Sequence, residues 1–398
     1  MVSFFHTADL HLGMRVTRFN PETCNRIREA RFIALDNLLK KAAELRTDFL
    51  IIAGDLFDDL EVDHLTARRA YEMLESVPIP VYILPGNHDP LMPGGVWDRP
   101  PWSNLTDKGL YLFRERKPFE VAPGLLLLPC PVFRRTSLND PTAWMTECSA
   151  SDSDIRIGIA HGSLKVRDDL PADDHLIARY AVDDYHLDYL ALGHWHSRRS
   201  YPDQEGVERI VYPGVHESMR FPGSLDSRSG WVPYGGAGRQ EFVDSGKGEV
   251  AHVRIRIKGS TPEVQPLETN HLIWEQEEKW ELSSEEDLAR LIQQVATRPD
   301  FDRRLLRLQL TGTLNATAML RLDALRQILT DRYFFGELEE TNLHVQPTDE
   351  EVREVAAQGV LARVLEVLEQ EVNDQDPDVR QIAERAILVL YQIAKETK

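Results

Sequence analysis

Five short polar motifs constrain this chain more than any other feature of its sequence. They are Asp9-Leu10-His11, Gly54-Asp55, Gly86-Asn87-His88-Asp89, His161-Gly162 and Gly193-His194-Trp195-His196. Each follows a short apolar run: Val2–Ala8, Phe49–Ala53, Val81–Leu84, Ile155–Ala160 and Tyr189–Leu192. Such runs read as strands buried on both faces, and Leu125–Leu128 and Ile210–Tyr212 add two more. Between them lie amphipathic helices. In the clearest, Ile27, Ala30, Ala34, Leu35, Leu38 and Leu39 share one stripe, and a second covers Asp63–Glu75. This alternation predicts a layered α/β domain, with central sheets flanked by helices. The motifs then project from the carboxyl edges of the strands, where open α/β sheets place their ligand sites.

The motifs hold three carboxylates, one amide and five imidazoles. Asp9 and His11, like His194 and His196, are two residues apart, so in an extended segment both side chains point to one side. Two neighbouring divalent cations repel unless an anion lies between them, so one carboxylate should bridge. Imidazole and carboxylate suit manganese, iron or zinc, and the set offers no thiolate. Two metals about 3.5–4 Å apart can clamp a phosphodiester and activate water against it. A histidine just outside the metal shell can protonate the leaving oxygen. Taken singly the motifs are weak, because Gly-Asp is ordinary turn chemistry and a lone His is most often structural. All five in order, each after a strand, are not weak.

That order resembles the calcineurin-like metallophosphoesterases. The variants Asp9-Leu-His11-Leu-Gly13 and Gly54-Asp55-Leu56-Phe57-Asp58 look like the SbcD/Mre-type DNA-repair nucleases of that superfamily, including its bacterial YhaO-like branch. The resemblance covers about residues 1–215. It implies a first metal held by Asp9, His11, Asp55 and His196, and a second by Asp55, Asn87, His161 and His194. Asp55 would then be the bridge, His88 the catalytic non-ligand histidine, and Asp89 the residue orienting it. The implied cofactor is a pair of divalent cations, manganese first, with magnesium, iron or zinc as alternatives. The implied activity is that of a 3′–5′ exonuclease and endonuclease in DNA repair. Its implied partners are DNA and an SbcC-type ABC ATPase with a coiled coil, with a homodimer also open. Two rival readings stand beside it: a phosphodiesterase or phosphatase for nucleotides or small phosphoesters, and a DNA-end tether.

Two departures bear on the branch. Asp58-Asp59-Leu60 stands where Ser/Thr phosphatases of the superfamily carry Asp-Arg-Gly, which disfavours that branch. Pro213-Gly214-Val215-His216-Glu217 replaces the Gly-Ser common in SbcD proteins, so His216 is either a substrate-side or a plain loop histidine.

The formal net charge of −19 excludes a globally basic nucleic-acid binder. Residues 1–200 carry only −6 of it, against −13 for residues 201–398. Phosphate binding depends on the arginines in contact and not on the total. Arg15, Arg18, Arg99, Arg198 and Arg199 follow motifs, and Arg134 and Arg135 follow another strand, so these side chains could rim the site. Trp97, Trp102 and Trp195 share those loops and could stack on bases. Three cysteines without metal-type spacing fit a reducing compartment. The N-terminus lacks a signal-peptide pattern, and no apolar run approaches the ~20 residues of a membrane span. The expectation is a cytoplasmic, nucleoid-associated protein with no membrane partner.

The rest divides by texture. Residues 1–216 form the catalytic domain and 217–249 a glycine-rich connection. Residues 250–347 form a small α+β cap, with strands at Val250–Ile257, His271–Leu282, Leu305–Leu310 and Glu340–Val345 and helices at Ser284–Val295 and Ala316–Tyr333. Residues 348–398 form a helical hairpin, a possible docking segment for the ATPase. Its second helix carries Val379, Ile382, Ala383, Ala386, Ile387, Leu390, Ile393 and Ala394 on one stripe.

Overall fold

The structure, a computed structural model, describes residues 1–105, 109–148, 154–222, 247–356 and 359–396. Most of the glycine-rich connection (223–246) lies outside the described residues. The chain divides into two compact units, Met1–Glu275 and Gln276–Lys398.

The first unit is built on two six-stranded sheets. One contains β1 (Val2–Thr7), β2 (Phe49–Ala53), β3 (Val81–Leu84), β4 (Leu110–Leu112), β11 (Glu249–Ile255) and β12 (Glu263–Glu268), in the order β12-β11-β1-β2-β3-β4. The other contains β5 (Phe119–Ala122), β6 (Leu125–Pro129), β7 (Ile155–His161), β8 (Tyr189–Gly193), β9 (Arg199–Pro202) and β10 (Glu208–Tyr212), in the order β5-β6-β7-β8-β10-β9. All seven expected strands form. Their side chains alternate as a period of two demands. Phe5, Leu50, Ile52, Val81 and Ile83 face α1 (Pro21–Glu44) and α2 (His64–Ser76). Phe4, Phe49, Ile51, Tyr82 and Leu84 instead pack against Leu127, Ile157, Ile159, Tyr189 and Ala191 of the second sheet. The outer face of that sheet is closed by loops and the short α3 (Ala181–Asp184). Both long helices start where the sequence can cap them. Asn20 and Asp63 accept the amides of Thr23 and Thr66, and Pro21 fills the first helical position.

The expected cap boundary at residue 250 is corrected. β11 pairs antiparallel with β1 from Val2↔Ile255 to His6↔Ala251, and β12 pairs with β11, so both complete the first sheet. Their pattern, alternately apolar on the inner face, is that of an edge pair and gives no hint of which sheet it joins.

The second unit holds β13 (Ile273–Leu282), β14 (Arg304–Leu314) and β15 (Phe335–Val345) as a three-stranded sheet in that order. α4 (Glu285–Thr297) and α5 (Ala316–Arg332) bury Leu288, Leu291, Leu322 and Leu325 with Leu306, Leu308 and Leu310. Three helices follow where a hairpin of two was expected: α6 (Asp349–Val355), α7 (Gly359–Glu371) and α8 (Pro377–Glu396). Thr348 and Glu351 form a reciprocal capping box that starts the extra one. The α8 stripe is only partly covered: Ala383 and Leu390 are buried, whereas Ile382 and Ile393 are exposed. No described helix is long and apolar enough to cross a membrane.

Candidate metal centre

The two sheets bring their carboxyl edges together, and all seven expected metal ligands converge there. Asp9, His11, Asp55, His161 and His196 are buried. The backbone is bent hard to achieve this: Asp9, His11 and Asp55 have φ of 54°, 44° and 52°, and His194 has 111°. Non-glycine residues seldom adopt such angles, and where they do the surroundings must hold them. Here the amides of Asp9 and His11 donate to the carbonyls of Gly54 and Asp55, and the His194 amide donates to the Asp9 carboxylate. Gly54 has no alternative. Its φ is 96°, and a Cβ there would lie 2.0 Å from Nδ1 of His161.

Two donor sets meet at Asp9. The ligand atoms of Asp9, His11 and His196 lie within 4.8 Å of one another, as do those of Asp9, Asp55 and His161. Asp55 Oδ2 is 3.8 Å from Nε2 of His11 and 3.3 Å from Nε2 of His161, between the two clusters. His11 and His196 turn Nε2 toward each other at 3.1 Å. On the other side the Asn87 amide oxygen is 2.8 Å from Nε2 of His161 and 3.1 Å from Nδ1 of His194. Outer partners fix which ring nitrogen is available. His161 Nδ1 donates to the Ala53 carbonyl at 2.9 Å, and His194 Nε2 lies 3.0 Å from the Asp174 carboxylate. The residues therefore fit a pair of divalent cations: hard and borderline donors, converging, with the inward nitrogens of His161 and His194 set by their outer partners.

The protonation states without metal say the same. Burial, the largest influence on Asp9, raises its carboxyl to about 6. Burial would also raise Asp55, but the imidazoles of His161, His88 and His11 hold it well below the usual range. Burial disfavours charge on His161, yet the Asp55 carboxylate lifts it to about 10.

His88 sits beside this cluster. Its amide donates to Asp55 Oδ1 at 2.8 Å, its ring meets that of His11 edge to face, and Nδ1 donates to the Asp58 carbonyl at 2.9 Å. Asp89 does not orient that ring, and here the expectation is corrected. Its carboxylate accepts the Gly86 and Phe57 amides at 2.7 and 2.9 Å, stapling the Gly86–Asp89 turn to the loop after β2. A fully buried carboxyl next to two amides serves the backbone first.

Other expectations also change. Trp97, Trp102 and Trp195 are buried and leave no ring face exposed for a base. Trp97 and Trp102 pack edge to face with each other and around Phe57, and Trp195 lies flat on Tyr212. His216 is fully buried and bonded to the Arg31 carbonyl at 2.9 Å, so it is not a substrate contact. Arg99 is spent on the Leu60 carbonyl at 2.8 Å. Arg198 and Arg199 are partly buried, with Arg199 turned back on the Arg198 carbonyl. Arg15, Arg18, Arg134 and Arg135 are exposed, as expected of rim residues. Arg135 pairs with Asp59 at 3.0 Å, and Arg15 acts on the same carboxylate.

Three working residues carried no sequence signal. Asp174 backs His194. The Asp58 carboxylate lies 3.2 Å from Nδ1 of His11. Arg31, buried on α1, donates to the carbonyls of Asp9, Leu10 and Glu217 and braces the Asp9–His11 bend.

Residues 2–198 match the calcineurin-like phosphoesterase family. The chain is similar to the uncharacterized metallophosphoesterase YhaO of Bacillus subtilis, 27% identical over 238 residues, covering 57% of this chain and 54% of that protein. It is 36% identical over 91 residues to the DNA double-strand break repair protein Mre11 of Methanococcus maripaludis, covering 22% of this chain and 23% of that one. The matched stretch thus spans about half of the bacterial relative and about a quarter of the archaeal one. Among solved structures, a dimetal phosphatase from Danio rerio aligns with a TM-score of 0.37 at 13% identity, covering 66% of this chain and 98% of that one. The matched family is one of metal-dependent phosphoester hydrolases.

Proposed function

We propose that the chain is a two-metal phosphodiesterase that cuts DNA, with manganese as its working ion and an ABC ATPase with a coiled coil as its partner. The observation that carries this reading is His88. It adjoins both donor sets yet is bonded through Nδ1 to protein, which leaves Nε2 to give up a proton. Such a histidine answers the need of a diester, whose leaving alkoxide must be protonated.

The ligand roles are those the motif order of the resembling family implies, and the convergence of these donors supports them. Asp9, His11, Asp55 and His196 would hold one ion, and Asp55, Asn87, His161 and His194 the other. Cations bound there supply Lewis acidity and lower the pKa of water. The protein's own part is to fix the donors. The Asp58 carbonyl holds the His88 ring through Nδ1, and the Asp58 carboxylate lies 4.0 Å from the same nitrogen. Asp174 and the Ala53 carbonyl hold the two imidazoles of the second set.

DNA as substrate is supported by the exposed guanidiniums of Arg15, Arg18, Arg134 and Arg135 and by the similarity to archaeal Mre11 proteins. The ATPase partner is supported by the uncovered stripe of α7 and α8, where Val360, Val367, Ile382 and Ile393 are exposed. A cytoplasmic, nucleoid-associated location follows from this role.

The test is hydrolysis by the purified chain with manganese on duplex, nicked and single-stranded DNA, beside bis(p-nitrophenyl) phosphate. Metal-dependent DNA cleavage is the expected result. Turnover of the small ester alone would establish the small-phosphoester reading instead.

A further inference from the structure

We propose that Phe133 is a stacking platform for an unpaired base at a DNA end, making the rim of the metal centre selective for ends that carry a base. The proposal rests on the DNA-cutting reading above and adds its recognition element. Phe133 follows β6 on a short strap that three loops of the site hold in place. The Val132 amide donates to the Pro85 carbonyl at 3.3 Å, and the Val132 carbonyl accepts the Leu91 amide at 2.8 Å. Those two bonds bracket the turn that carries Asn87 and His88. Two residues on, Arg135 pairs with Asp59, next to the Asp58 that holds His88. The Arg135 carbonyl meets Nε2 of His175 at 3.2 Å, next to the Asp174 that backs His194. The strap therefore runs along the mouth of the centre and cannot swing away without disturbing it.

Anchored on both sides, Phe133 still leaves 41% of its surface in water. Among the described residues, Phe133 and Tyr180 are the aromatic side chains exposed to this degree. Its surroundings match a nucleotide. The Arg116 guanidinium stands 5.4 Å over the ring, Arg134 and Arg135 follow it in the chain, and Met92, 38% exposed, lies one residue from the Leu91 that the strap engages. An exposed π face with guanidiniums nearby is how proteins hold single-stranded nucleic acid without reading its sequence: the ring stacks a base and the cations take the phosphates. The buried tryptophans are not available for this task, so the platform falls to Phe133.

The experiment uses the full chain with manganese and a duplex bearing one unpaired 3′ nucleotide, either intact or abasic. Wild type, Phe133→Ala and Phe133→Trp are compared, with bis(p-nitrophenyl) phosphate as a baseless substrate and circular dichroism melts as a check on folding. Removing the base should cost wild type roughly 10-fold in kcat/KM, mostly through KM. Phe133→Ala should lose about the same on the intact end. It should then be indifferent to the abasic change, and Phe133→Trp should restore discrimination. Undiminished discrimination in Phe133→Ala, or an equal loss on both ends and the small ester, would overturn the platform alone. Wild-type turnover of the small ester with no cleavage of any DNA would overturn the DNA reading, and the platform with it.

Discussion

The two sheets that meet at the metal centre bring different chemistry and hold it by different means. The first supplies Asp9, His11, Asp55 and Asn87, three of them on left-handed backbone fixed by neighbouring amides and carbonyls. The second supplies His161, His194 and His196, and hydrogen bonds from behind aim the first two of these rings. Charge on the first side is built into the fold, and orientation on the second is built into outer partners. A carboxylate lost from the first side removes a ligand. A partner lost from the second leaves every ligand in place but less well aimed.

That contrast can be broken or sharpened in order of effect. Asp55→Ala removes the shared carboxylate, so both ions and all metal-dependent hydrolysis should be lost; calorimetric titration with manganese checks this, and retention of two ions would refute the bridge. His88→Asn removes no proposed ligand. It should keep both ions while turnover of a diester falls about 10²–10⁴-fold. Gly54→Ala places a Cβ 2.0 Å from His161 Nδ1 at a φ of 96°. Strain and overpacking together should cost about 2–5 kcal/mol in chemical denaturation. On the second side, Asp174→Asn should weaken binding of one of the two ions by about 10–100-fold and leave the other unchanged. The smallest effect lies behind the first sheet, at Glu217. Burial raises its carboxyl from 4.5 to about 8, so the stability it contributes is full below pH 4.5 and lost as pH rises through 8. Glu217→Gln should therefore gain over wild type as pH climbs across that window, ending about 2–4 °C higher in Tm above pH 8 for each kcal/mol recovered.

Much of this was legible because the strands and ligands obey local rules. Short apolar runs ending in Asp, Asn or His mark the strand ends and the chemistry together, and the structure places each run as read. What could not be read is what depends on contacts between distant segments. Asp174 stands in the acidic loop Asp168–Asp174, where nothing in the pattern distinguishes it from Asp168, Asp169 or Asp173. The tryptophans look like loop residues because they are, but the loops fold down onto Phe57 and α2, as the bond from Trp102 to the Ala67 carbonyl shows. Asp89 was assigned to its neighbour His88, whereas geometry directs it to amides 3 and 32 residues away.

The pairing of β1 with β11 has a consequence for how the protein is made. β1 leaves the ribosome well ahead of β11, so its outer edge stays open until residues 249–255 follow. At about 5–20 residues per second that wait is on the order of 10–50 s. Throughout it an apolar strand of Val2, Phe4 and Phe5 presents unpaired amides and carbonyls, an invitation to aggregation. A fragment ending at residue 216 would never leave that condition. The catalytic domain as folded extends through β12, and its expression and purification call for the chain to at least Glu268.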